Sequence, residues 1–249
     1  VAHMRSSLRV AMSAAFAAAV IAGSVSPAMA SSASASSAAG GSVASAPLDG
    51  EKDVRQWMSD NGISAATQDG LIAKMKAGKA LDATTGAAPV STTTNVANGF
   101  KTTRSVYADG SVSIIQVEQP KATSGGISPQ ASVDGCSVNS GSGYSTYRGC
   151  VVRGANPIVS ASFRTDFQIL KGTYDKISFA GYPDITTRAA SWDNLDLQKI
   201  RMTESPNGDA QVALVAKITQ SAGGQTLRQY QGKLIFFLGK DKYSVTNAL

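Results

Sequence analysis

The run Val159-Ser160-Ala161-Ser162-Phe163-Arg164-Thr165-Asp166-Phe167-Gln168-Ile169 places Val, Ala, Phe, Thr, Phe and Ile at odd positions and Ser, Ser, Arg, Asp and Gln at even ones. Alternation with period two sends successive side chains to opposite faces, so this is a strand with one face on a core and one in water. The same signal recurs on both sides of it. Residues 146–153 read as a short strand, and a Lys171-Gly172 turn leads into residues 174–180, where Ile177 and Phe179 share a face. Residues 181–194 read as a long loop holding Tyr182, Pro183, Asp184, Trp192 and Asp193. Residues 195–203 pair with 211–220 across Asn207-Gly208, Gly223-Gly224 leads to 226–238, and 243–247 closes the series. The reading is mainly β, with an antiparallel β-sandwich or small barrel over residues 135–249.

The beginning of the chain reads as an export signal. Arg5 and Arg9 form a basic region, residues 10–22 an apolar one, and Ala28-Met29-Ala30 the small residues a signal peptidase needs. Cleavage is expected after Ala30, giving a secreted protein, and no later apolar run approaches the roughly 18 residues of a membrane span. The chain holds one histidine, His3, which leaves with the signal. Without it a Ser-His-Asp or Cys-His arrangement and a His-ligated zinc are excluded. The formal net charge of +6 is spread along the chain rather than gathered in Lys/Arg runs, so no nucleic-acid footprint is visible.

Cys136 and Cys150, the only cysteines, are expected to pair in an exported chain and to close the Gly/Ser-rich stretch between them. A redox role would need a C-x-x-C pair or an electropositive helix end, and neither is present.

Residues 31–48 are almost wholly Ser, Ala and Gly, the composition of a disordered linker. Residues 49–82 read as a helical hairpin. Asp49 is its expected N-cap, Val54, Trp57 and Met58 share one face, Asn61-Gly62 is the stop, and Ser64 caps a second helix carrying Leu71, Ile72 and Met75. Helices this short need a surface to pack on. Residues 83–99 read as a second linker and residues 100–118 as a β-hairpin about a type I′ Asp109-Gly110 turn. The phase break at Ile114-Ile115 implies a bulge or a strand covered on both faces. Residues 119–134 form the expected interdomain boundary.

Three groups of residues resemble a group of uncharacterised secreted proteins of high-GC Gram-positive bacteria. One is Thr67-Gln68-x-x-Leu71-Ile72-x-Lys74 with Gly78 and Leu81-Asp82; another is Tyr107-x-Asp109-Gly110-Ser111. The last runs from Gly143-Tyr144 through Cys150-x-Val152 and Phe163-x-x-Asp166-Phe167 to Gly172-x-Tyr174-Asp175-x-Ile177-Ser178. The resemblance implies a secreted helical-hairpin protein with a β-sandwich, and no catalytic residues.

Chemistry is sparse. Asp166 and Asp175, flanking the Lys171-Gly172 turn, are the one carboxylate pair suited to a glycan hydrolase, although an exposed structural role explains Asp166 equally well. Asp184 with Asp193-Asn194-Leu195-Asp196 lacks the spacing of a calcium loop. No metal or cofactor is expected. Aromatic side chains are the best handle for a ligand, because their faces pack on sugar rings while their polar tips hydrogen-bond. Tyr144, Tyr147, Tyr182 and Trp192, all expected in loops or at strand ends, are the ligand-binding candidates. The leading expectation is a secreted, non-enzymatic binding protein for an extracellular glycan or protein. A carboxylate-dependent glycan hydrolase and an inhibitor or toxin docking by its hairpin are the alternatives.

Overall fold

The computed structural model describes residues 47–120 and 135–249. The expected signal peptide and nearly all of the 31–48 linker lie outside them, as do residues 121–134. Among the described residues, the helices α1 (Glu51–Asp60) and α2 (Ala65–Lys76) precede a 3-10 turn at Asp82–Thr84. Eleven strands follow: β1 (Ser91–Ala97), β2 (Phe100–Val106), β3 (Val112–Glu118), β4 (Ser137–Gly141), β5 (Tyr144–Ala155), β6 (Val159–Leu170), β7 (Lys176–Thr187), β8 (Ala190–Arg201), β9 (Ala210–Ala222), β10 (Gln225–Gly239) and β11 (Lys242–Ala248). They form a seven-stranded antiparallel sheet, in the order β1-β2-β3-β5-β6-β7 with β4 paired to β5, and a four-stranded sheet, β11-β10-β9-β8. The two face each other as a β-sandwich-like body. Among the described residues, no helix is long and apolar enough to cross a membrane.

The founding strand behaves as its alternation requires. In β6 the odd positions Val159, Ala161, Phe163, Thr165 and Phe167 are buried and the even ones half-buried. Its buried face meets Leu214 and Ile218 of β9 and Leu234 and Phe236 of β10 in one apolar core. Phe167 lies between Tyr147 (4.5 Å, stacked), Phe236 (5.3 Å) and Tyr243 (5.7 Å).

The sheets part between β7 and β8, which are consecutive yet share no ladder among the described residues. They touch at the Arg188-Ala189 turn and at the opposite end, where Lys176 bridges Thr203 and Ile177 N–H donates to the Met202 carbonyl. Between these points each strand carries two bulges, and in the pair nearer the turn Tyr182 (φ 54°) and Asn194 (φ 53°) take left-handed backbone. Counted from the turn, the two bulges stand level. A bulge bends its strand and sharpens its twist, so two at one level separate the edges and turn one meander into two layers. The expected 181–194 loop is therefore corrected: residues 181–187 lie on β7 and 190–194 on β8, with Arg188-Ala189 as the turn between them. Pro183 and Asn194, which read as loop, are bulge residues, and Gly181 flanks the bulge nearer the turn.

The helices plug one end of the sandwich. Val54 and Met58 of α1 and Leu71, Ile72 and Met75 of α2 are buried in the same core as the strands. Leu48 bridges Ala222, and the Asp49 carboxylate accepts from the Ser221 hydroxyl at 2.8 Å. Asp49 thus ties the helix to β9 rather than capping it; the N-cap is Gly50, φ 81°. Ser64 caps α2 as expected, accepting from Thr67 N–H. Leu48, the last residue of the expected linker, is buried at 3% exposure.

Two further expectations need correction. The 83–99 linker contains most of the 3-10 turn and all of β1, because the β-branched Thr92, Thr93, Thr94 and Val96 suit an extended edge strand even with neither face buried. The hairpin of residues 100–118 is no separate module, since β3 pairs with β5 and continues the main sheet. Its turn is a three-residue loop rather than type I′. Tyr107 accepts from Gly110 N–H and donates to the Ser111 carbonyl, and only Gly110 (φ 80°) has positive φ. Strand β3 is regular in register and covered on both faces, which accounts for the phase break at Ile114-Ile115.

That turn docks on α2. Lys74 Nζ donates to Asp82 Oδ1 (2.8 Å) and Asp109 Oδ2 (2.7 Å), and Ser111 donates to Asp109 Oδ1 through both N–H (2.9 Å) and hydroxyl (2.6 Å). Burial pushes the Asp109 carboxyl up, but the bonds from Lys74, Ser111 and the Asp82 N–H together hold it below the usual carboxylate range. A carboxyl with a depressed folded pKa adds stability above its unfolded value near 3.8, and that stability is lost as pH falls through the folded value. Urea titrations at pH 6 and pH 3 check this. Wild type is expected to lose more stability on acidification than Asp109→Asn, whose own cost is about 1–3 kcal/mol at pH 6.

Candidate functional site

The outward face of the large sheet is assembled by register. Gln116, Arg153, Ser162 and Asp184 are successive cross-strand partners on β3, β5, β6 and β7. Ile114, Ala155, Ser160 and Thr186 form the parallel row beside them. Arg104 of β2 opposes Ile114, Thr102 opposes Gln116, and Thr93 and Asn95 of β1 oppose Arg104 and Thr102. Neighbouring strands lie about 4.8 Å apart, so these side chains form a grid of hydroxyl, amide, guanidinium and carboxylate groups.

The end of α1 stands over this grid and makes it a groove. Trp57 and Asn61 wall a hollow of about 470 Å3 above the two rows. A second hollow of about 410 Å3, sharing Asn61 and Ile114, continues over Thr93, Asn95, Thr102 and Arg104. The wall is held from several sides. Arg188 stacks on the Trp57 ring (5.4 Å) and donates to Ser160 Oγ (2.7 Å) and the Asn156 carbonyl (3.2 Å). Burial pushes its guanidinium pKa down. Arg104 donates to the Asn61 carbonyl at 3.1 Å, and the Arg153 guanidinium lies 4.7 Å from the Phe100 ring centre. This surface offers many directional polar groups and one indole.

The four aromatic candidates are placed elsewhere. Tyr147 is half-buried against Phe167, and burial, then Tyr243, pushes its hydroxyl pKa up; it is a core residue. Tyr144 begins β5 beside Gly141 and is 41% exposed. Tyr182 and Trp192 sit on β7 and β8, exposed at 73% and 43%. Phe179 joins Tyr182, its ring 5.9 Å away, because a bulge puts Phe179 on the exposed face and Ile177 on the buried one, which corrects the expectation that those two share a face. None of the four lines the groove.

Both carboxylates of the hydrolase alternative brace backbone. Asp166 accepts from Gly149 N–H at 2.7 Å, beside the Cys136–Cys150 disulfide. Asp175 is fully buried and accepts from Leu170 N–H (2.8 Å) and Asp241 N–H (3.0 Å). Burial is the main reason its carboxyl is pushed up. The disulfide fits an oxidising compartment. Among the described residues, no group of three or more His, Cys, Asp or Glu side chains is placed to hold a metal ion.

The groove was not legible in advance because its residues are spread over six strands and the end of one helix. The one usable signal was small polar residues, Ser160 and Ser162, on the outward face of the best-defined strand. No family model, curated protein or solved structure matches this chain.

Proposed function

We propose that this is a secreted, non-enzymatic binding protein that holds an extended glycan across the outward face of its large sheet. The observation that carries this is the cross-strand grid of Gln116, Arg153, Ser162 and Asp184 beneath Trp57. A polyhydroxylated chain needs many donors and acceptors in a row together with an apolar surface for its ring faces. The disulfide and the N-terminal signal support an extracellular setting. The test is titration of the purified protein with soluble xylan, dextran and β-glucan, followed by Trp fluorescence and calorimetry. Binding is expected for at least one polymer. Ser162→Trp, which fills the groove floor without entering the core, is expected to weaken it at least tenfold while leaving the unfolding midpoint unchanged. Unaltered binding by Ser162→Trp would remove the groove from consideration.

A second reading, in which the same kind of ligand meets Tyr182 and Trp192, is favoured by one observation: Tyr182 is highly exposed on a left-handed bulge, and such backbone costs of order 1–3 kcal/mol and gathers at functional sites. Loss of binding in Trp192→Ala but not in Ser162→Trp would establish that reading instead.

A further inference from the structure

The groove contains two guanidinium groups with no carboxylate partner among the described residues, those of Arg104 and Arg153. Each is held in place by a neutral group. Arg104 spends one donor on the Asn61 carbonyl, and Arg153 rests on the Phe100 ring. Arginine carries a rigid fork of five donors suited to a carboxylate, and stacking on an aromatic ring fixes that fork without consuming its donors. Their spacing follows from register: two strands apart and two residues displaced, about 12 Å between Cα positions. Beyond Arg153, separated from it by Ser162, stands Asp184, an exposed carboxylate with no ion pair among the described residues. The other acidic group of the groove, Asp60, accepts from Gln56 at 2.8 Å.

We propose that the groove selects an acidic glycan, a polysaccharide bearing uronic-acid carboxylates at intervals along the chain. Two of those carboxylates lie on the forks of Arg104 and Arg153. The Asp184 carboxylate accepts from sugar hydroxyls farther along, and Trp57 covers a ring face. The spacing of the two arginines favours a polymer whose carboxylates are separated by intervening sugar, and Asp184 turns away a second acid at its own position by like-charge repulsion. This proposal rests on the glycan-groove reading and goes beyond it only in the charge of the ligand.

The test uses hyaluronan fragments, which carry a uronate on alternate sugars, and the same fragments after chemical reduction of their carboxyl groups to alcohols. Calorimetry with the full chain is expected to show binding of the acidic form at least tenfold tighter than of the reduced form, weakening as salt is raised. Arg104→Gln and Arg153→Gln are each expected to lose about tenfold or more toward the acidic form and little toward the reduced one, because a lost charge-assisted hydrogen bond is worth at least that much. Thermal unfolding of both variants guards against misfolding, and Arg153→Lys, which keeps the charge but loses the fork, is expected to fall between. Equal binding of the two polymer forms would overturn the acidic preference and leave the groove reading standing. Failure of hyaluronan while xylan, dextran or β-glucan binds would do the same, whereas failure of every polymer would remove both.

Discussion

Phe167→Ala is expected to lower the unfolding free energy by about 3–5 kcal/mol, the largest effect of any single substitution considered. Phe167 is 1% exposed and is the one ring that touches Tyr147, Phe236 and Tyr243 together. It therefore joins β5 and β6 of the large sheet to β10 and β11 of the small one. Truncation removes its buried area and leaves a cavity whose walls are themselves rings, which cannot collapse inward without leaving their rotamers. Urea denaturation of the purified protein checks the size, with the slope expected unchanged if only the folded state is weakened. Tyr147→Phe is the matching control. It keeps the stacked ring and is expected to alter stability by no more than about 0.5 kcal/mol. A cost below about 1 kcal/mol for Phe167→Ala would mean that the two sheets are not joined through this ring.

Replacing both cysteines by alanine is expected to cost about 3 kcal/mol, the value of the chain-entropy model for a loop of about 15 residues. The bridge spans a sequence separation of 14 and lies at the base of the β4–β5 hairpin. Among the described residues strand β4 pairs only with β5, so the bridge is a covalent root for that strand. Close by, Asp166 accepts from Gly149 N–H and Glu118 from Val151 N–H at 3.1 Å. Loosening should therefore begin at β4 and reach the start of β5. Urea curves of the oxidised protein and the double variant give the size, and amide exchange gives the place. Faster exchange is expected in residues 137–149 and not in β9 or β10. A uniform rise across both sheets would mean that the bridge supports the whole fold rather than this corner.

How much was legible depended on whether a residue's neighbours in sequence are its neighbours in the physics. Strand β6 was plain, because one of its faces is buried and period two follows directly; β9 was plain from Val212, Leu214, Ala216 and Ile218, although Ala213 and Val215 on its other face are buried too. The helical hairpin was plain from Val54, Met58, Leu71 and Met75. Strands β7 and β8 were obscured by their own bulges, since an inserted residue resets the alternation and Gly181, Pro183 and Asn194 then read as loop. Strand β1 was obscured for the opposite reason: all seven residues are exposed, so nothing forces them to alternate. The groove was hidden by distance along the chain. Gln116 and Asp184 stand in one row only through two intervening strands, and nothing local to either marks it. Trp57 was read as packing, which it does, but it also walls the groove.

The seat of the first helix is made from the last strands. Leu48 bridges Ala222, the Asp49 side chain accepts from Ser221, Gly50 lies against Ala189, and the buried amide of Asn156 donates to the Leu249 carbonyl at the same end. Consecutive strands can be added one by one, each hairpin closing a short loop at small entropic cost. The helices have no such option, being too short to persist alone. A chain emerging from its amino end can dock α2 on the 107–111 turn early, through Lys74 and Asp109, whereas Leu48 and Asp49 wait for their β9 partners until residue 222 has arrived. The seating of α1 is thus completed late, and a chain cut short before β9 lacks the Ala222 and Ser221 partners of Leu48 and Asp49.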